Sequence, residues 1–249
     1  MTSTSPAAII VGASRGIGAA LAHELAARGY RLGLLSRNQE LLQVLAGELT
    51  ALHHGQVEFG LLDVTDQAAV GPALDKIIRR LGDVDLIIAN AGISGARKAG
   101  DGNLAKDRRI IETNLMGAIA VIDAAVAYFR QRGSGHIAAI SSSSAYLGIP
   151  GSGAYSASKA ALTNYLEALR MELADKPITV SIVHPGFVKT DIAPHMEKYP
   201  FVAAPEKVAR EIVEGLLRRR KNLIVPALPW RLLLPALKLL PDKVMRKVF

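Results

Sequence analysis

Seven short stretches of the chain, residues 8–11, 31–35, 57–62, 86–89, 136–141, 179–184 and 223–225, are apolar almost without interruption. A strand with one solvated face alternates apolar and polar side chains, so an unbroken apolar run of strand length implies burial on both faces. A parallel sheet covered by helices meets that condition. Between these runs, residues 16–28, 39–52, 67–81, 110–132, 156–175 and 205–220 carry helical patterns, with Asn38 placed to cap one helix and Pro205 suited to the first turn of another. Strand and helix in alternation predict right-handed β–α–β units, hence an α/β, doubly wound parallel sheet of about seven strands with helices on both faces. Half of the 249 residues are hydrophobic and about a fifth are charged, enough for a full core and too apolar for a disordered chain. No repeat or linker precedes residue 222, so residues 1–225 read as one domain and 226–249 as a basic, leucine- and proline-rich tail.

The turn after the first strand, IIVGASRGIGAAL, brings Gly12, Gly16 and Gly18 to the start of the first helix. Glycine there allows a tight turn and close approach of backbone to a pyrophosphate, which the free N–H groups of the helix N-terminus would hold. The spacing is G-x-x-x-G-x-G. A bare turn uses the same residues, and position in a βα unit favours the phosphate reading. Binders of NAD place a carboxylate after the second strand, but this chain has Ser36 and Arg37 there. Arg37 and Arg15 together would grip a 2′-phosphate, since guanidinium forks match phosphate oxygens. The alternative is a pair of solvated surface arginines. NADP is therefore expected over NAD.

Tyr155 and Lys159 stand four residues apart, one helical turn, in AYSASKAAL. A tyrosine near its free pKa of about 10 is a poor acid–base group at neutral pH, and an adjacent ammonium is expected to favour the phenolate. Ser142 falls at the end of the fifth apolar run, where a hydroxyl would hydrogen-bond a carbonyl oxygen. Such pairs are common by accident. The serine at a strand end and the upstream cradle make accident a poor account of all three.

The ordered pieces GASRGIG, Asp63 in LLDVTD, the NAG of Asn90, Ala91 and Gly92, Asn114 in TNLMG, Ser142, YSASK, and PGFVKT from Pro185 to Thr190 resemble the short-chain dehydrogenase/reductase family over roughly residues 7–225. The resemblance implies a Rossmann-like oxidoreductase that moves a hydride between NADP(H) and a carbonyl or alcohol. It assigns Gly12, Ser14, Arg15, Gly16, Ile17, Gly18, Ser36, Arg37, Asn90, Ala91, Gly92, Pro185, Gly186 and Val188 to the cofactor site. Asp63 and Val64 would border the adenine, and Thr190 would contact the nicotinamide carboxamide. Tyr155 would donate the proton in reduction, Lys159 would lower its pKa and hold the ribose, and Ser142 would orient the carbonyl. Asn114 would position a water that relays protons to Lys159. Two positions depart from the family's commonest pattern: Val11 stands where a threonine is usual, and Ala89 where a second asparagine is usual. Dimers or tetramers of identical chains are also implied. The family uses the stretch after Thr190 as a lid; Ile192, Met196, Tyr199 and Phe201 there, with Tyr146, Leu147 and Ile149, hint at a lipophilic substrate.

The net charge of +8 is unevenly placed. Nine basic residues and one acid lie beyond residue 217, and the first 217 residues are balanced. Prolines 229, 235 and 241 forbid one long tail helix and are expected each to start a short one. On a helical projection Arg231 and Lys238 share one side, with Trp230, Leu233, Leu237 and Leu240 on the other. That composition suits a helix lying in a membrane interface, or one packed on the body or a neighbouring subunit. The run 223–240 holds Arg231, Lys238 and three prolines, which excludes a spanning helix. No nucleic acid is expected, for want of aromatic platforms. No metal is expected either, since His53, His54 and His184 lack acidic partners at ligand spacing. Zero cysteines and a polar start without a basic run lead us to expect a cytoplasmic protein, with peripheral membrane contact through the tail as an open possibility. Two other functions stay open: a non-catalytic NADP(H) sensor or scaffold, and a docking protein acting through its tail.

Overall fold

Every side chain of strand β1 (Ala7–Val11) is buried, and successive residues enter different cores. Ala7, Ile9 and Val11 pack on one face of the sheet, while Ala8 and Ile10 pack on the other. This is the physical content of the uninterrupted apolar runs: period-two geometry with both faces dry. The structure is a computed structural model and describes residues 5–190, 192, 201–237, 239, 241, 243 and 245.

The other strands are β2 (Arg31–Ser36), β3 (Val57–Leu61), β4 (Leu86–Ala89), β5 (Gly135–Ile140), β6 (Ile178–Pro185) and β7 (Asn222–Val225). They form one seven-stranded sheet in the order β3-β2-β1-β4-β5-β6-β7, every pair parallel. Helices α1 (Gly16–Ala26), α2 (Gln39–His53) and α7 (Pro205–Leu217) cover one face; α3 (Gln67–Leu81), α5 (Gly117–Arg132) and α6 (Gly153–Glu172) cover the other. The expected fold class is the observed one. Asn38 caps α2, its side-chain oxygen accepting from the Leu41 N–H at 2.9 Å, and Pro205 opens α7. Since β1 lies between β2 and β4, the winding reverses there, and a crevice opens beyond the carboxyl ends of these strands.

Three expectations are corrected. The helix expected over 110–132 is three pieces: α4 (Leu104–Ile111), a π-helical turn at Glu112–Met116, and α5. The polar segment LAKDRR hid the start of α4, and the extra residue of the π turn directs Thr113 and Asn114 inward. Residue 110–132 apolarity belongs to a core helix, with Val121, Ile122, Ala125, Val126 and Phe129 buried against the sheet. The helix expected over 39–52 runs on to His53, and His54 caps it in the left-handed region (φ 53°). In the tail, α8 (Ala227–Leu237) becomes helical only after Leu228 and runs through Pro235, so this proline starts no helix of its own. A new turn does begin at Pro241, whose carbonyl accepts from the Met245 N–H at 3.1 Å.

The basic residues beyond 217 divide in space. Arg218–Lys221 precede β7 and lie at the amino ends of the strands, whereas α8 follows β7 and lies at the carboxyl ends, where the crevice is.

Candidate active site

A cavity of about 510 Å³ occupies the crevice. Its floor is the glycine turn between β1 and α1. Gly12 has φ +91°, and a Cβ on it would lie 2.6 Å from the Ala91 backbone. A Cβ on Gly18 would overlap the Gly12 carbonyl oxygen, which also accepts from Asn90 Nδ2 at 2.7 Å. Asn90 thereby ties the loop after β4 to the glycine turn across the topological switch. Gly16 (φ +58°) faces the Thr190 side chain, 3.3 Å from the place of its missing Cβ.

Of the residues singled out from the sequence, Gly12, Ser14, Arg15, Ile17, Ser36, Arg37, Asp63, Val64, Asn90, Ala91, Gly92, Ser142, Tyr155, Lys159, Pro185, Gly186, Val188 and Thr190 all line this one cavity. Gly16 and Gly18 shape its floor from beneath. Asn114 is not in the lining: it is fully buried one layer behind. Arg37 lies 3.7 Å from the Asp63 carboxylate, so the guanidinium expected on a 2′-phosphate and the carboxylate expected beside adenine face each other. Burial pushes the Asp63 carboxyl up, but the Thr65 N–H and hydroxyl, then Arg37 and Arg109, outweigh it and hold the group below its usual range. Met196 and Tyr199 lie outside the described residues; Ile192 and Phe201 are largely exposed, and the Ser94 hydroxyl donates to the Ile192 carbonyl.

Tyr155 sits in the first turn of α6 and Lys159 one turn on. The Lys159 ammonium is buried, donates to the Ile140 carbonyl at 2.8 Å, and lies 5.9 Å from the Tyr155 ring centroid. Burial alone brings its pKa down to about 8. Tyr155 departs from expectation. Burial pushes the phenol up, and the hydrogen bond with the Ser142 side chain only partly offsets that. The Lys159 ammonium, turned to the Ile140 carbonyl, does not set the direction of this shift; burial does. Ser142 follows β5 by two residues and caps a 3₁₀ turn (Ser143–Ala145), its Oγ accepting from the Ser144 N–H at 3.1 Å. Tyrosine, serine and lysine thus meet at one wall of the cavity.

Asn114 is placed by the π turn. Its side chain accepts from the Ile93 N–H at 2.8 Å and donates to the Ile93 carbonyl at 2.9 Å and to Ser158 Oγ at 3.3 Å. Those bonds commit the side chain to the loop after β4, and Gly92, at the start of that loop, leaves only 3.4 Å from its missing Cβ to Asn114 Oδ1 and 3.6 Å to Lys159 Nζ. Sequence reading missed Thr113, Ile93, Ser94, Ser152 and Phe187 in the lining. Thr113, inside TNLMG, Ile93, next after the NAG, and Phe187, inside PGFVKT, had a motif that pointed near them. His184 is buried, with Nδ1 3.3 Å from the Ser142 carbonyl and its ring 4.9 Å from Tyr146; burial brings its pKa down to about 4, so it is a neutral structural group. No cluster of metal-ligating side chains exists among the described residues.

Phe187 leads to the tail. Trp230 of α8 is buried, stands edge-on to the Phe187 ring at 4.8 Å, and fills the space above Gly186, where any Cβ would overlap its indole. Leu234 is buried one turn later, Leu233 and Leu237 are half-buried, and Lys238 and Leu240 lie outside the described residues.

The residues present fit a nicotinamide dinucleotide. The glycine floor excludes side chains where a pyrophosphate would lie, and the Thr113 hydroxyl is buried in the lining with no hydrogen-bond partner among the described residues. A family model described as short chain dehydrogenase matches residues 6–199. An uncharacterized oxidoreductase of Mycobacterium tuberculosis is 33% identical over 241 residues, covering 96% of this chain and 95% of the relative. The alcohol dehydrogenase of Thermococcus sibiricus, solved with 5-hydroxy-NADP, superimposes with a TM-score of 0.80 at 29% identity, covering 88% of this chain and 95% of that one. A short-chain dehydrogenase/reductase of Burkholderia phymatum, solved with NAD, has a TM-score of 0.83 at 24% identity, covering 90% of each chain, a likeness of fold alone.

Proposed function

The chain belongs to the short-chain dehydrogenase family and is an oxidoreductase of that fold, and from that premise we propose that it reduces a lipophilic carbonyl compound with NADPH, or runs the reverse oxidation, using Tyr155, Ser142 and Lys159. One observation carries the reading: Tyr155, Ser142 and Lys159 line one cavity whose floor is a glycine turn. When bound, the nicotinamide would supply or accept the hydride.

The chain's own residues supply the rest. The Tyr155 phenol, kept protonated by burial, donates its proton to the oxygen of a carbonyl seated against it. Ser142 donates a hydrogen bond to the same oxygen and fixes its direction. Lys159 stays mostly cationic at pH 7 with a pKa of about 8 and sits beside the phenol, so it stabilises the phenolate left after transfer and restores its proton. Asn114 holds the Ile93 backbone and so fixes the wall facing Lys159. On Asn114 the proposal is that it acts by position, with the water relay as its further consequence.

Preference for NADP(H) rests on Arg15 and Arg37 in the lining and on the absence of a carboxylate at the end of β2. The 5-hydroxy-NADP held by the Thermococcus sibiricus relative is consistent with it. Ile93, Ile149, Phe187 and Ile192 in the lining favour an apolar substrate. The test is Tyr155→Phe, which keeps the ring and removes the proton. Turnover of NADPH against a panel of lipophilic ketones and aldehydes is expected to fall about 10²–10⁴-fold with cofactor affinity unchanged. Full turnover in this variant overturns the reading. Arg37→Ala is expected to lower kcat/KM for NADPH about tenfold or more while leaving NADH nearly unaffected, a loss of one charge-assisted phosphate contact. An equal loss for both cofactors removes the basis for NADP preference.

A further inference from the structure

The outward face of α8 is left over once Trp230 and Leu234 have packed on the body. Leu232 is 70% exposed, Leu228, at the non-helical step near the start of α8, is 69% exposed, and Leu239, just past the helix, is 85% exposed. Arg231, Pro235, Ala236 and Lys243 are exposed with them. The other large apolar side chains comparably exposed, Leu52, Leu104 and Met171, come singly from separate elements. Three leucines this bare within twelve residues form a patch, and isolated surface leucines do not.

Its charge identifies what covers it. Residues 226–249 hold five basic side chains (Arg231, Lys238, Lys243, Arg246 and Lys247) and one acid, Asp242. The basic run Arg218–Lys221 lies at the far end of β7 and does not contribute; of the five, Arg231 and Lys243 are exposed among the described residues. Among the described tail residues the one aromatic side chain, Trp230, is turned inward, so the tail's own exposed leucines and cations offer bases no aromatic platform. A second copy of the chain meeting this face about a two-fold axis would set Arg231 and Lys243 near their own counterparts, like charge against like.

We infer that this face docks on the surface of an anionic phospholipid bilayer, with Leu228, Leu232 and Leu239 entering the headgroup boundary and Arg231 and Lys243 meeting lipid phosphates. The orientation follows from the fold. The inward face of α8 touches Gly186 and Phe187, which line the cavity, so a docked chain holds its cavity mouth beside the lipid, next to exposed Ile192 and Phe201. Delivery of a lipophilic substrate from the bilayer rests on the proposed function; the docking itself does not.

The experiment is co-sedimentation of the full chain with phosphatidylcholine vesicles, with and without about 30 mol% phosphatidylglycerol, at low salt and at about 0.5 M salt. The expected result is a bound fraction at least about tenfold higher on anionic vesicles, reduced by salt, and lost in the triple variant Leu228→Glu/Leu232→Glu/Leu239→Glu. The triple variant is expected to keep its circular dichroism and its turnover of a water-soluble carbonyl. If it unfolds, Arg231→Glu/Lys243→Glu takes its place with the same expectation. Equal sedimentation of wild type and variant, or no preference for anionic lipid, overturns the inference. So does a concentration-dependent dimer in sedimentation velocity that the variant abolishes, because the cover is then a second copy. A chain without reductase activity that still binds anionic vesicles would sink the proposed function and leave the docking standing.

Discussion

Lys159 is buried at the cost of its charge. The pKa of about 8 against an ordinary 10.5 means that the unfolded chain binds this proton more tightly than the folded one. Stability therefore rises with pH across the interval from about 8 to 10.5, and at pH 7 the buried ammonium costs on the order of 3 kcal/mol. Replacing it with an apolar side chain of similar length removes that cost but leaves the Ile140 carbonyl without its donor, worth about 1 kcal/mol. Lys159→Met is thus expected to unfold about 2 kcal/mol later in urea at pH 7, the gain shrinking as pH rises toward 10, while turnover collapses. A variant less stable than wild type at pH 7 would show that the ammonium has a partner strong enough to offset its desolvation. Spacing in the sequence was enough to place Tyr155, Lys159 and Ser142 at one wall. It was not enough to give the sign of the Tyr155 shift, because that depends on how deeply the wall is buried and on which way the ammonium turns. Sequence neighbours carry neither quantity.

At the scale of elements, the strands and most helices were legible because burial on both faces leaves an unbroken apolar run, and β4 and α3 have the expected limits. The π turn was not. Its cause is tertiary: Asn114 bonds both backbone groups of Ile93, 21 residues away, and no local pattern announces such a partner. The tail was half legible. Trp230 was placed on an apolar side, but its partner is the backbone of Gly186, a residue with no side chain to leave a pattern. That contact is testable. Gly186→Ala puts a methyl group into the Trp230 indole, so either α8 lifts or the loop after β6 shifts. Overpacking of this kind is expected to lower stability by about 1–3 kcal/mol and to raise the KM for cofactor, since Val188 and Thr190 lie on the same loop. The single tryptophan makes the displacement visible as a red shift of its fluorescence. An unmoved emission spectrum with normal KM would mean that the loop and α8 do not bear on one another.

For the whole molecule, charge and acid response come from different places. The balanced body hides two histidines on the sheet: His136 in β5, bonded to Ser181 Oγ at 2.8 Å, and His184 in β6, against the Ser142 carbonyl. Burial, with a smaller push from Arg219, brings His136 down to about 4; burial, only partly opposed by the Ser142 carbonyl, does the same for His184. Both ordinary values are 6.5, so the unfolded chain takes up these protons first as pH falls. Stability is then constant above about pH 6.5 and declines through the window down to about 4, by roughly 2 kcal/mol for each histidine at pH 5. Asp63, held below its usual range, adds loss only at the acid end of that window. The urea midpoint is expected to drop steeply from pH 7 to pH 5. His136→Gln should remove about half of that drop if the amide keeps the bond to Ser181, at the price of a lower plateau at pH 7. Because His184 stays neutral in the folded chain down to about pH 4, activity should follow the folded fraction as pH falls from 7 to 5, whereas the tail, which holds no histidine, should bind anionic lipid equally at pH 5.5 and pH 7.5. A midpoint that stays flat between pH 7 and pH 5 would mean that both imidazoles take up their protons in the folded chain as readily as in the unfolded one, and a drop half as large that one of them does.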